Sequence, residues 1–342
     1  MAKVKIEQID ITDLAGFMES NPAVDRHYID PTDVQHPGTL TKVTRMGHVT
    51  QLLTMVHKSD GCRSTVKLSK DLYWDWKDQE VKEYRHIDDR SGSLESIRQT
   101  LERIRGLVNS NIFSPTRVRW VTLTYKENMT DTKRLYEDYH SFWKRFKRWN
   151  KSNGYSKPEY ITVVEPQGRG AWHIHAFFIW SDVAPFIPNN EVLWPMWGHG
   201  FTSIKSFSQY NTNPGAYFSA YLADMPLEQF DSLSDEDKAK ALTTGCTIQD
   251  KMVLNDDGEE KSKKFVKGAR LHFYPPGMNI VRSSRGVQRP VSEYMTLSEA
   301  KEKVSAATET FNRSYHLYTE SDNSERRKSI NIITKSYYND II

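Results

Sequence analysis

Residues 165–176 have the sequence EPQGRGAWHIHA, and the apolar run FFIW follows directly. His173 and His175 are separated by one residue, so on a β-strand both side chains lie on the same face. The glycine-rich turn at 168–170 would fold a strand that ends at Glu165 back beside them. A His-x-His pair alone is common on surface strands, but two imidazoles with a carboxylate can hold a divalent cation and leave coordination positions open. The segment therefore predicts a β-hairpin that carries a catalytic metal centre.

The composition is typical of a globular protein. The chain has 342 residues, of which 37% are hydrophobic and 12% aromatic, enough for two domains or for one domain with additions. Its two cysteines, Cys62 and Cys246, lie far apart, which excludes a disulfide framework and a zinc-thiolate site. The start of the chain is too charged for a signal peptide, and no apolar run approaches the length that spans a membrane. We therefore expect a soluble cytoplasmic protein without a membrane partner.

Charge is distributed unevenly along the chain, although the net charge is only +3. Residues 114–160 contain eleven basic and five acidic residues, and residues 261–289 contain eight basic residues and none that is acidic. Between them, residues 228–260 contain ten acidic residues and three basic ones. A solvated surface of mixed charge explains such runs as well as a phosphate-binding face does, so charge alone does not decide for nucleic acid.

Periodicity predicts the elements around the hairpin. Apolar residues recur at helical spacing over 93–108 and over 135–149, and the second helix has a basic outer face. Residues rich in β-branched and aromatic side chains predict strands at 118–125, 160–165, 172–180 and 200–207, and a helix at 214–224 begins with proline in its first turn. Helices over one face of a largely antiparallel sheet give an α+β fold with a ferredoxin-like layer.

Three regions are expected along the chain. Residues 1–90 form an accessory segment with a small sheet within 38–84, residues 91–226 form the core, and residues 227–342 form an extension with an acidic insert, a basic segment and a tail. The following elements are predicted within the extension: a helix at 235–242, a strand ending in a turn at 270–277, a basic loop at 282–289, a helix at 297–318, a linker at 320–329, and an edge strand or docking segment at 330–342.

Tyr217 and Tyr221 are four residues apart, which makes them neighbours on one face of a helix. Two such tyrosines are more often ordinary packing residues. A phenol becomes a useful nucleophile when its target is strongly polarised, as a phosphate is when a divalent cation coordinates its oxygens. Beside a metal centre, the pair is therefore a candidate nucleophile.

Three segments carry a resemblance to HUH endonucleases, and in particular to rolling-circle replication initiators of bacterial plasmids, phages or integrative elements. They are VTLTY at 121–125, the block from Glu165 to His175, and the helix that contains the two tyrosines. The segment 270–290, with its YPPG and SRG elements, resembles the tail region of such initiators. The clear likeness covers residues 115–225, about a third of the chain.

The resemblance implies an enzyme that nicks and rejoins origin DNA in a single-stranded or hairpin form. Glu165, His173 and His175 would hold Mg²⁺ or Mn²⁺. Tyr217 and Tyr221 would act as the nucleophile and as a second tyrosine for strand closure, through a 5′-phosphotyrosine. Rejoining would need no ATP, and the chain has no Walker-type phosphate loop, so a host or element helicase and a polymerase would be the partners.

Further residues are expected to contact DNA. The candidates are Gln167, Arg169, Tyr125, Lys126, Arg282 and Arg285. One departure concerns the tyrosines: many relatives place a lysine three residues after the nucleophile, whereas Ala220 and Asp224 stand at those positions here. Which tyrosine acts first is therefore left open.

Other functions are compatible with the same residues. A conjugative relaxase or a transposase would use the same chemistry on a transfer origin or a transposon end. A non-catalytic DNA-binding regulator would use the metal-ligating residues for structure alone. A metal-dependent hydrolase of small phosphates would give the paired tyrosines and the basic segments no purpose.

Overall fold

The structure is a computed structural model of the chain. It describes residues 24–29, 36–56, 65–75, 78–84, 94–112, 114–206, 215, 224–242, 248–254, 260–266, 268–319 and 329–340.

Strands and helices are numbered in chain order over the described residues. The strands are β1 Val24–Ile29, β2 Leu40–Met46, β3 Val49–Met55, β4 Thr65–Lys67, β5 Leu72–Asp75, β6 Glu80–Glu83, β7 Val118–Thr124, β8 Glu159–Pro166, β9 Trp172–Ile179, β10 Thr202–Ser206, β11 Met225–Pro226, β12 Ile248–Leu254, β13 Glu260–Val266, β14 Val281–Ser283, β15 Val291–Thr296, β16 Thr308–Thr319 and β17 Ser329–Asn339. The helices are α1 Leu94–Asn111, α2 Thr132–Ser152, α3 Trp194–Trp197, α4 Leu227–Asp231, α5 Asp235–Leu242 and α6 Leu297–Lys303.

A five-stranded antiparallel sheet contains the predicted hairpin. Its strand order is β10-β7-β9-β8-β14, so β9 lies in the middle with β7 on one side and β8 on the other. Alternation along β9 places His173, His175 and Phe177 on one face and Ile174, Ala176 and Phe178 on the other. The sheet and its helices confirm the predicted α+β fold with additions at both ends of the chain.

Helix α2 packs against the face of the sheet that is opposite the histidines. Asp131 caps its first turn by accepting hydrogen bonds from the backbone N–H groups of Lys133 and Arg134. The apolar side of α2 is buried, and the ring of Phe146 lies 4.5 Å from that of Phe178 between centroids. Because α2 fills this face, the histidines are directed to the other side of the sheet.

A six-stranded sheet joins the two ends of the chain. Its order is β1-β16-β17-β3-β2-β15, so strands from residues 24–55 alternate with strands from residues 291–339. Helix α1 contacts this sheet, since the buried Arg105 donates a 2.6 Å hydrogen bond from Nη1 to the hydroxyl of Tyr337. Two three-stranded sheets, β4-β5-β6 and β11-β13-β12, complete the described architecture. The division into regions at residues 90 and 226 stays a prediction.

Two predictions for the end of the chain were wrong. The helix expected at 297–318 ends at Lys303, and the aromatic and β-branched residues that follow form β16. The tail expected to be an edge strand or a docking segment forms β17, an inner strand paired with both β16 and β3. In both cases pairing with distant strands determines the structure, and local periodicity does not report that pairing.

The segment 270–289 also differs from its prediction. The expected strand at 270–277 is instead a single 3₁₀ turn, Leu271–Phe273, followed by two prolines that cannot donate to a sheet ladder. The expected basic loop at 282–289 begins inside β14, which pairs with β8 and extends the five-stranded sheet. By contrast, the helix predicted at 235–242 is confirmed as α5.

Among the described residues, no helix combines the length and the apolar character needed to cross a lipid bilayer.

Candidate metal centre

A tight turn sets the register of the hairpin formed by β8 and β9. The backbone N–H of Gly170 donates to the carbonyl of Gln167 at 2.8 Å, and the N–H of Gln167 donates to the carbonyl of Ala171 at 2.7 Å. Gly170 has φ +84°, a conformation that favours glycine. With this turn, Glu165 lies directly opposite His173 in the antiparallel pairing.

The three predicted ligands converge on one face of the sheet. One ligand atom each from Glu165, His173 and His175 can be chosen so that all three lie within 4.8 Å of one another. Glu165 Oε2 and His175 Nε2 are 2.6 Å apart. All three side chains are largely shielded from solvent. The hairpin therefore gathers two imidazoles and a carboxylate around a volume small enough for a single cation.

His173 has a free ligand atom in this cluster. Its Nε2 is buried and has no hydrogen-bond partner among the described residues. Burial is the main cause that lowers the pKa of His173 to about 4, and the attraction of Glu165 opposes it only in part. His173 is consequently neutral at pH 7, with a lone pair available to a cation. A buried nitrogen without a partner costs free energy, which a bound metal ion would remove.

His175 is held from its other ring nitrogen. Trp120 Nε1 and Thr122 Oγ1 each lie 3.3 Å from His175 Nδ1. An indole N–H can only donate, so Nδ1 accepts from Trp120 and Nε2 carries the proton that is donated to Glu165. With that proton on Nδ1 instead, Thr122 Oγ1 could accept it and Nε2 would be free to bind a cation.

Glu165 is a buried carboxylate that remains ionised. Burial alone would raise the pKa of Glu165, but the attraction of Arg270, together with His175 and His173, outweighs it and holds the pKa below its ordinary value. Arg270 Nη1 contacts Glu165 Oε1 directly and also donates to the carbonyl of Pro166 at 2.8 Å. The second carboxylate oxygen, Oε2, is the one that faces the histidines.

The donor set is suited to a divalent cation at a catalytic site. Two imidazole nitrogens and one carboxylate oxygen leave open positions for water or substrate, whereas a closed structural site would supply four protein ligands. The residues therefore fit the expected cation, and the choice between Mg²⁺ and Mn²⁺ stays a prediction.

The two candidate nucleophiles, Tyr217 and Tyr221, lie outside the described residues, as does most of the helix predicted at 214–224. Gly215, close before them in the chain, is described and buried. Its backbone N–H donates to Asn109 Oδ1 at 2.9 Å, and an added Cβ would lie 2.7 Å from the carbonyl oxygen of Arg105. Helix α1 thus fixes the chain at a point two residues before Tyr217.

The residues expected to contact DNA are in several environments. Arg169 braces the hairpin turn, because it donates to Gln167 Oε1 at 3.1 Å and to the carbonyl of Tyr125 at 3.0 Å. Tyr125 is only 2% exposed, and its hydroxyl donates to Asp138 at 3.0 Å, so its ring belongs to the core. Lys126 is exposed beside it.

The two remaining candidates lie on or after β14. The guanidinium of Arg282 stacks on the ring of Tyr136, 3.3 Å from its centroid. Arg285 is exposed. Of the six candidates, Lys126 and Arg285 are thus the exposed cations not committed to a described protein contact.

Sequence reasoning missed several residues at the site. Arg270 approaches Glu165 from more than 100 positions further along the chain, and no local pattern indicates this contact. Trp120 was considered only as a base-stacking residue, whereas its indole orients His175. Strand β10 pairs with β7 so that Phe201, Ser203 and Lys205 lie on the histidine side of the sheet. Phe201 is 68% exposed there, a large apolar ring at the open edge of the sheet.

Comparison with known proteins gives one similarity. Residues 118–226 match a family model of replication-associated proteins, the one described by the name ORF2. This stretch begins with β7 and ends in β11, so it contains the three ligands and both tyrosines but ends before Arg270. Searches among curated proteins and among solved structures returned no match. The similarity supports the predicted role in replication.

Proposed function

We propose that the chain is a replication initiator that nicks and rejoins DNA, using a tyrosine and a divalent cation. One observation carries the proposal: the convergence of Glu165, His173 and His175 within 4.8 Å, inside the stretch similar to replication-associated proteins. The geometry favours a cation over a purely structural cluster, because His173 Nε2 is buried without a partner among the described residues.

The three side chains have distinct tasks in this proposal. A divalent cation bound there would polarise a DNA phosphodiester as a Lewis acid. Neutral His173 donates its Nε2 lone pair, and Glu165 supplies negative charge through Oε2. Trp120 and Thr122 hold the ring of His175 from behind, which limits its rotation.

Tyr217 or Tyr221 provides the nucleophile. Its phenol oxygen forms a bond to the phosphorus while the bond from phosphorus to the 3′-oxygen breaks; the phenol loses a proton and the 3′-oxygen gains one. The products are a 5′-phosphotyrosine and a free 3′-hydroxyl. Because the diester energy is retained in the phosphotyrosine, a 3′-hydroxyl can later displace the tyrosine and restore the strand without ATP.

Single-stranded DNA is the proposed substrate form, and it would approach along the edge of the sheet. Phe201 and Lys205 on β10 lie on the histidine side and are exposed. An exposed ring can stack on an unpaired base while a nearby lysine contacts a phosphate. Lys126 and Arg285 offer further exposed positive charge.

The proposed chemistry leaves other steps to partners. The free 3′-hydroxyl is a primer for a polymerase, and strand separation requires a helicase because the chain has no Walker-type ATP-binding loop. A bacterial cytoplasmic setting on a plasmid, phage or integrative element follows from the same proposal.

A cleavage assay tests the function. The full chain is incubated with labelled single-stranded oligonucleotides that tile candidate origins, in Mn²⁺ or in EDTA. We expect scission in Mn²⁺ that stops in EDTA and in His173→Ala, but persists in His199→Ala, a matched histidine variant. His199 lies 3.5 Å from Asp138, away from the three ligands.

The same assay separates the alternatives. Specific DNA binding in EDTA with no scission in any metal would replace the enzyme with a DNA-binding regulator. Scission of transfer origins or transposon ends alone would identify a relaxase or a transposase. Hydrolysis of small phosphates without DNA retention would support the hydrolase.

A further inference from the structure

Arg270 is the only cationic side chain in the described residues recorded within ion-pair distance of Glu165, apart from the histidine ligand His175. It lies outside the stretch that matches the replication-associated family, which ends at residue 226. Its side chain is 6% exposed, and it enters the site from the 3₁₀ turn that follows β13. The segment after residue 226 therefore reaches the centre of the site.

The guanidinium of Arg270 makes three contacts at once. Nη1 contacts Glu165 Oε1 and donates to the carbonyl of Pro166 at 2.8 Å, while Nη2 donates to Gln229 Oε1 at 3.2 Å. A planar guanidinium with donors in a fixed fork can satisfy such a set, whereas a flexible lysine ammonium cannot reproduce it. The carboxylate of Glu165 is thereby held in one rotation.

This fixed rotation separates the two oxygens of Glu165 by role. Oε1 is engaged by Arg270, and Oε2 lies 2.6 Å from His175 Nε2. Only Oε2 is directed toward the histidine pair. A freely rotating carboxylate would instead divide its time between orientations that offer either oxygen or both.

The turn that presents Arg270 is anchored on both sides. Before it, the N–H of Gly268 donates to Asp224 Oδ1 at 3.0 Å. After it, the hydroxyl of Tyr274 donates to the carbonyl of Val164 on β8 at 3.1 Å. Because Val164 directly precedes Glu165, the turn and the ligand are held to the same strand. The position of Arg270 is thus fixed by structure on either side of it.

We propose that Arg270 is a positioning residue for the metal centre, and that it orients Glu165 so that Oε2 faces the cation. This inference rests on the proposed function, since it needs a cation bound by the three ligands. It extends that function by making the region after residue 226 a required part of the centre.

The expected effect is a loss of Mn²⁺ affinity. Replacing a residue that orients a metal ligand typically weakens metal binding by about 10–100-fold. We expect Arg270→Gln and Arg270→Lys both to weaken Mn²⁺ binding within this range. Lysine retains the positive charge beside Glu165 but not the forked contacts, so its failure to restore affinity assigns the role to geometry.

Arg105 provides the matched control. It is also a buried arginine, 2% exposed, and its recorded hydrogen bond is to Tyr337 on β17 rather than to a metal ligand. Arg105→Lys therefore tests whether any loss of affinity arises merely from disturbing a buried arginine. We expect it to bind Mn²⁺ as the wild type does.

The test is Mn²⁺ titration of the full-length protein by calorimetry and by electron paramagnetic resonance, with circular dichroism to confirm the fold of each variant. Arg270→Lys is included because it keeps a cation beside the buried carboxylate and so preserves the fold if Arg270→Gln does not. Weaker binding in folded Arg270 variants, with wild-type binding in Arg105→Lys, is the expected result.

Two results would overturn the inference. Unchanged or tighter Mn²⁺ binding in folded Arg270 variants would show that Arg270 does not orient the ligand, while leaving the proposed function intact. An absence of Mn²⁺ binding by the wild type would remove the metal centre itself, and with it both proposals.

Discussion

Glu165 and His173 lie directly opposite each other in the antiparallel pairing of β8 with β9. The relationship depends on the length of the turn between them, because a shift of one residue in register would move His173 and His175 to the face covered by α2. The metal centre is therefore a consequence of the same turn and register that close the hairpin.

Mn²⁺ should stabilise the wild-type protein against unfolding. A ligand that binds only the folded state at a hundred times its Kd adds about 2.7 kcal/mol to the free energy of unfolding. We expect a rise in Tm with Mn²⁺ that is absent in His173→Ala and retained in His199→Ala, measured by differential scanning calorimetry. An equal rise in His173→Ala would place the cation elsewhere.

Phe201→Ala should weaken binding of single-stranded DNA. Stacking of a base on an aromatic ring contributes about 1–3 kcal/mol, so we expect affinity to fall by roughly 5- to 100-fold in fluorescence anisotropy. Tyr294→Ala is the control, since Tyr294 is a 53% exposed ring on β15 of the six-stranded sheet. Equal losses in both variants would contradict a specific role for the edge at β10.

Gly215→Ala should destabilise the protein. The new Cβ would lie 2.7 Å from the carbonyl oxygen of Arg105 and 2.9 Å from Asn109 Oδ1, so backbone must move. Overpacking of this kind costs about 1–3 kcal/mol, measurable as the free energy of unfolding in urea. Gly38→Ala has open space around its Cβ and should change stability by less than about 0.5 kcal/mol. Equal stability of the two variants would argue against close packing at Gly215.

Tyr338 should make stability depend on alkaline pH. Burial, together with the hydrogen bond to Glu309, raises the pKa of Tyr338 to about 12 from an ordinary value of 10.0. The folded state therefore holds the phenol proton more tightly than the unfolded chain does. This contribution is complete below pH 10 and is lost as pH rises through 12.

The comparison with Tyr338→Phe isolates that contribution. The free energy of unfolding of the wild type should fall relative to that of the variant between about pH 10 and 12, and the difference should be constant between about pH 7 and 9. A constant difference across the whole range would mean that Tyr338 is not protected at the β16–β17 pairing.

Local pattern was sufficient to predict the elements around the metal centre. The period-two alternation of β9, the glycine turn and the amphipathic spacing of α2 all act over fewer than about 20 residues, and each corresponds to an observed element. The prediction of the three ligands needed only the turn and the alternation, because the hairpin is itself local.

Contacts between distant parts of the chain were not predictable in this way. The strand β17 is inner because β3 and β16 pair with it from opposite ends of the sequence. Arg270 similarly reaches Glu165 through tertiary packing, and a lone arginine after an apparently strand-forming run gives no sign of it. Basic charge in 261–289 predicted a DNA-facing surface, whereas Arg270 within it is buried against a carboxylate.

Identification of the covalently modified peptide tests the central claim most directly. After reaction with a labelled oligonucleotide in Mn²⁺, trypsin should release the peptide 206–238, which contains both candidate tyrosines, and mass spectrometry should locate the nucleotide. The account predicts a phosphodiester link to Tyr217 or Tyr221 that is absent in the double phenylalanine variant and in His173→Ala. Scission that leaves free 5′-phosphates and no protein-linked nucleotide, or an adduct that persists in the double variant, would contradict it.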